Sequence, residues 1–337
     1  MGVNLSKLIN QKDIEINQLK GKKIGIDGYN WAHQFLSTIR LRTGELLKDS
    51  EGRVTSHVLG IFNRTTNLLK DGIKPCYVWD GKPPEFKSRT IEKRKKIKEE
   101  ARKKFEAAET DEEKRKYSQQ LSKLTDDMVE NVIMLLDAMG VPSVKAPSEG
   151  EAQISYMVEK KDLWACASQD WDALLFGSKI LIRNLSISGK RKVPGKNIYK
   201  NINPKVVYLT EVLENLKLSR EQLILIGMLI GTDYCKGVKG YGPKRSLQIV
   251  KEEKTLENIS KKIELDFETK PEKILNWFLN PPKTDKYNLE WKNINVEKIM
   301  KILVDKHEFS QERIENQLKP ILGERANKNQ KGLSQYF

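Results

Sequence analysis

A chain of 337 residues with 61 Lys plus Arg against 46 Asp plus Glu, net charge +15 and a pI near 9.4, can bury a sizeable core as one large α/β domain or two smaller ones. Its positive balance favours nucleic acid or another phosphate-rich partner. No apolar run approaches the ~20 residues needed to cross a bilayer, and three widely spaced cysteines in apolar stretches, Cys76, Cys166 and Cys235, read as small buried residues of a reducing compartment rather than disulfides or a zinc site.

Met1-Gly2 with Ser6 fits the short myristoylation pattern, but no second lipid or polybasic signal adjoins it, and Gly2 is read as structural. A short strand is predicted at Lys23–Asp27, an amphipathic helix from Thr55 to Lys70, and a second strand from Gly72 to Asp80. From about Lys87 to Thr125 charge dominates, with ten Lys or Arg against three acids between Lys87 and Lys104. A solvated helical hairpin is the plain reading and a mobile cationic arch the sharper one. Lys87 and Arg94 lie seven residues apart, two turns of helix, and so share one face suited to clamping a phosphate.

A third strand, Leu163 to Ala167, ends before Asp170, and apolar strands separated by helices imply a mainly parallel sheet covered on both faces. Ligands of such a sheet gather at the carboxyl ends of the strands, where Asp27, Asp80 and Asp170 fall. Further on, Gly237 to Arg245 is a Gly-rich turn into a helix with Pro243 near its start, a backbone suited to phosphate, beside Lys244 and Arg245. The chain ends in a polar stretch, Gly323 to Asn329, read as flexible, and then Gln330 to Phe337.

Seven carboxylates, Asp27, Asp80, Glu149, Glu151, Asp170, Asp172 and Asp233, sit mostly at or just past the ends of apolar runs. Four of them have a structural alternative on local spacing. Ser148 and Glu151 have capping-box spacing, Asp170 or Asp172 could cap the helix Ala173 to Phe176, and Asp233 could terminate the helix Gln222 to Gly231. Together they make an anionic pocket that bound cations would render tolerable.

Ile26-Asp27, Trp79-Asp80-Gly81-Lys82-Pro83-Pro84, Ala146-Pro147-Ser148-Glu149-Gly150-Glu151-Ala152, Ser168-Gln169-Asp170-Trp171-Asp172 and Gly231-Thr232-Asp233-Tyr234 resemble, in order and spacing, the five acidic motifs of flap endonucleases. This is the XPG-like structure-specific 5′ nuclease family, of archaeal and eukaryotic type, and the likeness runs from Met1 to Phe337. It implies a PIN-like nuclease core with a helical arch and a helix–two-turn–helix element. The implied organisation is a nuclease region 1–105, the remainder of the arch 106–124, an internal nuclease region 125–260, a helical region 261–322 and a clamp-binding tail 323–337.

By the same resemblance, two Mg²⁺ ions, with Mn²⁺ able to substitute, would be held by Asp27, Asp80, Glu149 and Glu151 on one side and by Asp170, Asp172 and Asp233 on the other, partly through water. Lys87 and Arg94 align with the arch-base cations that stabilise charge on the phosphoryl oxygens. His33 stands where the family commonly has a tyrosine that stacks on a base. Gly240, Gly242, Lys244 and Arg245, with K⁺ at the turn, would grip duplex DNA, and Thr55 is taken as a further DNA contact.

Gln330, Leu333, Tyr336 and Phe337 resemble the peptide that docks on the replication sliding clamp (PCNA), one helical turn placing the last three on one face. The implied protein is a monomeric enzyme without membrane attachment that removes 5′ flaps from branched DNA in replication and repair, with associated 5′-exonuclease activity. If archaeal, it would act in the cytosol near the nucleoid. A PIN-like ribonuclease or a Holliday-junction relative would share the pocket but lack the terminal peptide. A non-catalytic clamp partner would tolerate the loss of several acids.

Overall fold

In the computed structural model, residues 2–41, 43–192 and 198–333 are described. One sheet is built from β1 (Lys12–Asp13), β2 (Lys23–Asp27), β3 (Lys74–Trp79), β4 (Ser143–Lys145), β5 (Ala165–Ala167), β6 (Ile180–Arg183) and, after a separate hairpin of β7 (Gly189–Lys192) and β8 (Tyr199–Ile202), β9 (Lys205–Tyr208). Their order is β1-β9-β6-β5-β2-β3-β4. The five strands from β6 to β4 pair in parallel, while β9 runs antiparallel to β6 and to β1.

Alternation along the strands explains why both faces are dry. On β3, Cys76 and Val78 enter one apolar layer, and Tyr77 and Trp79 enter the other; Cys166 on β5 and Leu181 on β6 likewise oppose Ala165, Ala167 and Ile182. The layers are closed by α1 (Gly28–Thr38), α2 (Ser56–Lys70) and α5 (Asp126–Ala138) on one side, and α6 (Gly150–Glu159), α7 (Asp172–Leu175) and α9 (Arg220–Ile230) on the other. Between α2 and α5 rises a hairpin of α3 (Ser88–Glu106) and α4 (Asp111–Gln120), which pack against each other.

Beyond α8 (Leu209–Leu216), α9 ends at Gly231, whose φ of 111° turns the chain out of the helix. A second turn through Gly240, φ 86°, leads into α10 (Pro243–Glu253), with Gly242 as its N-cap and Pro243 at its start. Helices α11 (Leu256–Lys262), α12 (Pro271–Leu279), α13 (Val296–Met300) and α14 (Gln311–Leu333) complete the chain.

Three strand boundaries differ from expectation, since β3 also stops at Trp79, one residue short of Asp80. Gly72 has φ 73° and belongs to the turn before β3, and of the stretch Leu163 to Ala167 only Ala165–Ala167 pairs as β5, although the Trp164 amide already donates to the Lys23 carbonyl at 2.7 Å. The stretch Gly323 to Asn329, read as flexible, has helical backbone, because α14 runs on through Pro320 as far as Leu333. Tyr336 and Phe337 lie outside the described residues. Among the described residues, no helix is long and apolar enough to cross a membrane.

Candidate active site

Because five strands run parallel, their carboxyl ends open on the same edge of the sheet, and the loops leaving them converge. Asp27 closes β2, Asp80 follows β3, Glu149 and Glu151 lie beyond β4 at the start of α6, and Asp170 and Asp172 lie beyond β5. Asp233 arrives from the turn after α9. All seven line one cleft of about 520 Å³, together with Lys87, Arg94 and His33.

Three of the seven acids are positioned by main-chain donors. The Asp27 carboxylate caps α1, accepting from the Asn30 amide at 2.9 Å. Asp80 accepts from the Gly150 amide at 2.7 Å, and Asp172 from the Val3 amide at 2.8 Å. A side-chain amide ties in Asp170, whose Oδ2 accepts from Asn30 Nδ2 at 3.1 Å. Gly2 is structural for a steric reason: a Cβ there would lie 2.9 Å from Asp172 Oδ1 and 3.1 Å from Asp170 Cβ.

The capping-box expectation at Ser148 is corrected. The N-cap of α6 is Glu149, with no side-chain cap bond. Ser148 Oγ instead donates to the Lys82 carbonyl at 2.7 Å, pinning the loop after β3. Glu151 is therefore not committed to capping, and its Oε1 is buried without a hydrogen-bond partner. Asp172 begins α7 but does not cap it, since Trp171 holds that position.

The charged hairpin closes over the acids. Lys87 Nζ donates to both Glu149 oxygens at 2.9 and 2.8 Å and stands 3.8 Å from Asp233 Oδ2, which accepts from Arg94 Nη2 at 2.7 Å. The Thr90 hydroxyl, on the same face, donates to the Asp233 carbonyl at 2.6 Å. Both cations thus reach the cleft, as their spacing implies. Lys98, four residues past Arg94 and not singled out in the sequence, also lines the cleft and donates to the Ser122 carbonyl at 2.9 Å, bracing the hairpin at its base. Its helical register with Lys87 and Arg94 was the available signal.

Burial sets the electrostatics. Asp27 and Glu151 are pushed well above the usual carboxylate range, first by burial and then by Asp80 and Asp170 respectively. Burial and Glu149 raise Asp80 to about 6, and burial, opposed by the Val3 hydrogen bond, raises Asp172 to about 7. Asp233 is held low although burial opposes it, because surrounding positive charges, Arg94 and Lys87 among them, favour its anion. Burial alone would pull Lys87 down, yet Glu149 holds it above its ordinary value. His33 stands open at the cleft, and the protein around it, then Lys98 and Arg94, lowers its pKa.

Of the other positions, Lys244 and Arg245 are exposed on α10 outside the cleft, with the Arg245 guanidinium 4.4 Å from the Tyr241 ring centroid. Gly242 has open space where a Cβ would be. Thr55 is 3% exposed, caps nothing with its side chain and does not line the cleft. The side chain of Thr55 is therefore not available to a DNA strand.

An all-oxygen donor set with an orphaned buried carboxylate oxygen fits a hard divalent cation. Among the described residues no group of three His, Cys, Asp or Glu is arranged to hold an ion unaided. A parallel sheet with carboxylates at its strand ends, beneath a cationic hairpin, defines a metal-dependent hydrolase acting on a phosphodiester.

Residues 1–101 match the XPG N-terminal domain and residues 140–233 the XPG I-region, which together hold all seven acids. Flap endonuclease 1 of Staphylothermus marinus is 52% identical over 349 residues, covering 100% of both chains. Among solved structures, flap endonuclease-1 from Methanococcus jannaschii superposes with a TM-score of 0.76 at 38% identity, covering 97% of this chain and 100% of that one. The catalytic core of Rad2 in complex with DNA substrate shares the fold, with a TM-score of 0.71 at 23% identity over 92% of this chain and 96% of that one. The chain belongs to the flap endonuclease family, divalent-metal-dependent nucleases that hydrolyse DNA phosphodiester bonds.

The raised carboxylates fix a pH dependence. With folded-state values above the unfolded ones, the metal-free fold holds more protons than the unfolded chain between about pH 4 and 7, so these groups lose stability as pH rises through about 6 to 7. A divalent cation relieves that cost. The melting temperature gained on adding Mg²⁺ should therefore be larger at pH 8 than at pH 5, and equal gains at the two pH values would contradict the assignment.

Proposed function

We propose that this chain is a structure-specific 5′ flap endonuclease with 5′-exonuclease activity, serving replication and repair in the cytosol near the nucleoid. The observation that carries the reading is the convergence of Lys87 and Arg94, from one face of the hairpin, onto carboxylates at the sheet's carboxyl edge. Asp27, Asp80, Glu149 and Glu151 would hold one Mg²⁺ and Asp170, Asp172 and Asp233 a second, with Mn²⁺ as a substitute. When bound, the pair supplies a water of lowered pKa and stabilisation of the departing 3′ oxygen.

The chain's own residues then set the geometry. Asn30 joins Asp27 to Asp170 through its amide and side chain, so the two groups of ligands keep a fixed separation. Lys87 and Arg94, with ion-pair partners already at the cleft, turn to the non-bridging oxygens of an entering phosphodiester and match the charge that grows there. His33, kept neutral by its surroundings, offers a flat ring to a base beside the scissile phosphate. Lys244, Arg245 and the turn through Gly240 and Gly242, with K⁺, hold duplex DNA by its backbone without reading sequence.

A ribonuclease of PIN type would use the same acids, but full-length likeness to flap endonucleases favours branched DNA. The clamp reading rests on Gln330, Leu333, Tyr336 and Phe337 lying beyond every catalytic element in sequence. Tethering a monomer to a ring around the duplex would raise its local concentration at the flap.

Three outcomes test this reading. Asp170→Ala or Asp233→Asn should abolish cleavage of a double-flap DNA while preserving binding, since removing negative charge near phosphate does not weaken association; near-normal turnover in either would refute the two-ion assignment. Lys87→Ala or Arg94→Ala should slow single-turnover cleavage on the order of 10²-fold with only a modest loss of affinity, because the contacts strengthen in the transition state. An affinity loss matching the rate loss would make them plain phosphate anchors. Deleting Gln330 to Phe337 should leave clamp-free activity unchanged and remove stimulation by the cognate clamp, and a truncated chain still fully stimulated would place the contact elsewhere.

A further inference from the structure

At the edge of the sheet opposite the acidic cleft, where the parallel strands begin, lies an open basin of about 510 Å³. Four of its lining residues are lysines: Lys22 and Lys23 at the start of β2, Lys161 after α6, and Lys179 before β6. The single carboxylate in the lining, Asp162, already accepts from the Tyr287 hydroxyl at 2.7 Å. Half-buried Trp164 stands among them, its amide bonded to the Lys23 carbonyl and its ring 5.0 Å from Lys22 Nζ.

The catalytic reading does not use this group. β2 spans Lys23 to Asp27, so the basin and the cleft are separated through the sheet by on the order of 15 Å of strand. A strand lying in the cleft therefore does not enter the basin along the same straight path. Lys23, Lys161 and Lys179 are exposed, Lys23 with its Nζ 5.5 Å from the Trp291 ring, and only Asp162 is a carboxylate among the lining residues.

An aromatic platform ringed by cations matches the chemistry of single-stranded nucleic acid, in which bases present π faces and a phosphate follows each sugar. An acidic peptide would match the lysines but would have no use for the ring. We propose that this basin is a second site for single-stranded DNA, separate from the cleft, in which Lys22, Lys23, Lys161 and Lys179 hold phosphates and Trp164 stacks a base as Lys22 swings from its ring to the backbone. A nuclease so equipped holds a displaced strand on one edge of its sheet while a flap junction occupies the other.

The test uses the complete chain, saturated in EDTA with a duplex carrying a short flap so that its duplex-binding surfaces are occupied and no cleavage occurs, and follows the anisotropy of a labelled oligothymidylate of about twelve nucleotides. One oligonucleotide should still bind per protein. The combined variant Lys22→Gln, Lys161→Gln, Lys179→Gln, which leaves the catalytic groups untouched, should weaken that binding at least about 10-fold and flatten its logarithmic salt dependence by about 2, given roughly 0.7 per phosphate contact. Trp164→Leu, checked for an unchanged melting temperature, should weaken it several-fold, with Trp164→Phe restoring most of the loss. An oligonucleotide wholly displaced by the duplex, wild-type affinity and salt slope in the triple variant, or oligoglutamate competing as well as unlabelled oligothymidylate would each overturn the proposal.

Discussion

Carboxylates buried side by side repel one another and lose their hydration, and the rest of this molecule is arranged around that cost. The sheet concentrates it. With five strands parallel, each loop that leaves a carboxyl end delivers its acid to one edge, and short main-chain bonds to Asp27, Asp80 and Asp172 stop the acids from relaxing apart. A protein without cations to offset this would be more stable with fewer acids there. Their retention on a rigid frame is the mark of a preorganised ion site.

The helical hairpin follows from the same constraint. Its charge run has little apolar periodicity and buries little surface, so its own packing fixes it weakly. What ties its base to the core is polar: Lys87 on Glu149, Arg94 on Asp233, the Thr90 hydroxyl on the Asp233 carbonyl, and Lys98 on Ser122. The aromatic group of Phe86, Tyr234 and Trp277 supplies an apolar seat beneath, with ring centroids 5.4 to 6.1 Å apart. Anchors that depend on opposite charges respond to whatever else carries charge in the cleft, so the arch and the acids form one electrostatic unit.

How much of this could be read from the chain depended on whether the signal was local. The strand ends at Asp27 and Asp80, the helix following Thr55, the charged hairpin and the turn into Pro243 all announce themselves within a few residues, by apolar runs, charge or Gly-Pro chemistry. β4, β6 and β9 do not, because strands of three or four residues are held by neighbours in the sheet rather than by their own pattern. The capping-box reading of Ser148 failed for a related reason. Its hydroxyl found the Lys82 carbonyl, 66 residues away, and that contact outweighed a local cap. Asn30 was invisible as a link between Asp27 and Asp170 because its side-chain partner lies 140 residues off.

The charge distribution also bears on selectivity. A chain of net charge +15 draws DNA toward it from any direction, but that pull is screened beyond about 8 Å at physiological ionic strength. Inside that distance the local field decides, and at the cleft it is set by seven carboxylates opposed by only a few cations. A phosphate meets net repulsion there unless divalent ions are present, whereas on the surface of α10 and at the far edge of the sheet it meets lysines and arginine with few acids among them. Binding and cutting are therefore separable: basic surfaces can hold DNA when the ions are scarce, but the scissile phosphate settles among the acids only when the groups needed to hydrolyse it are in place.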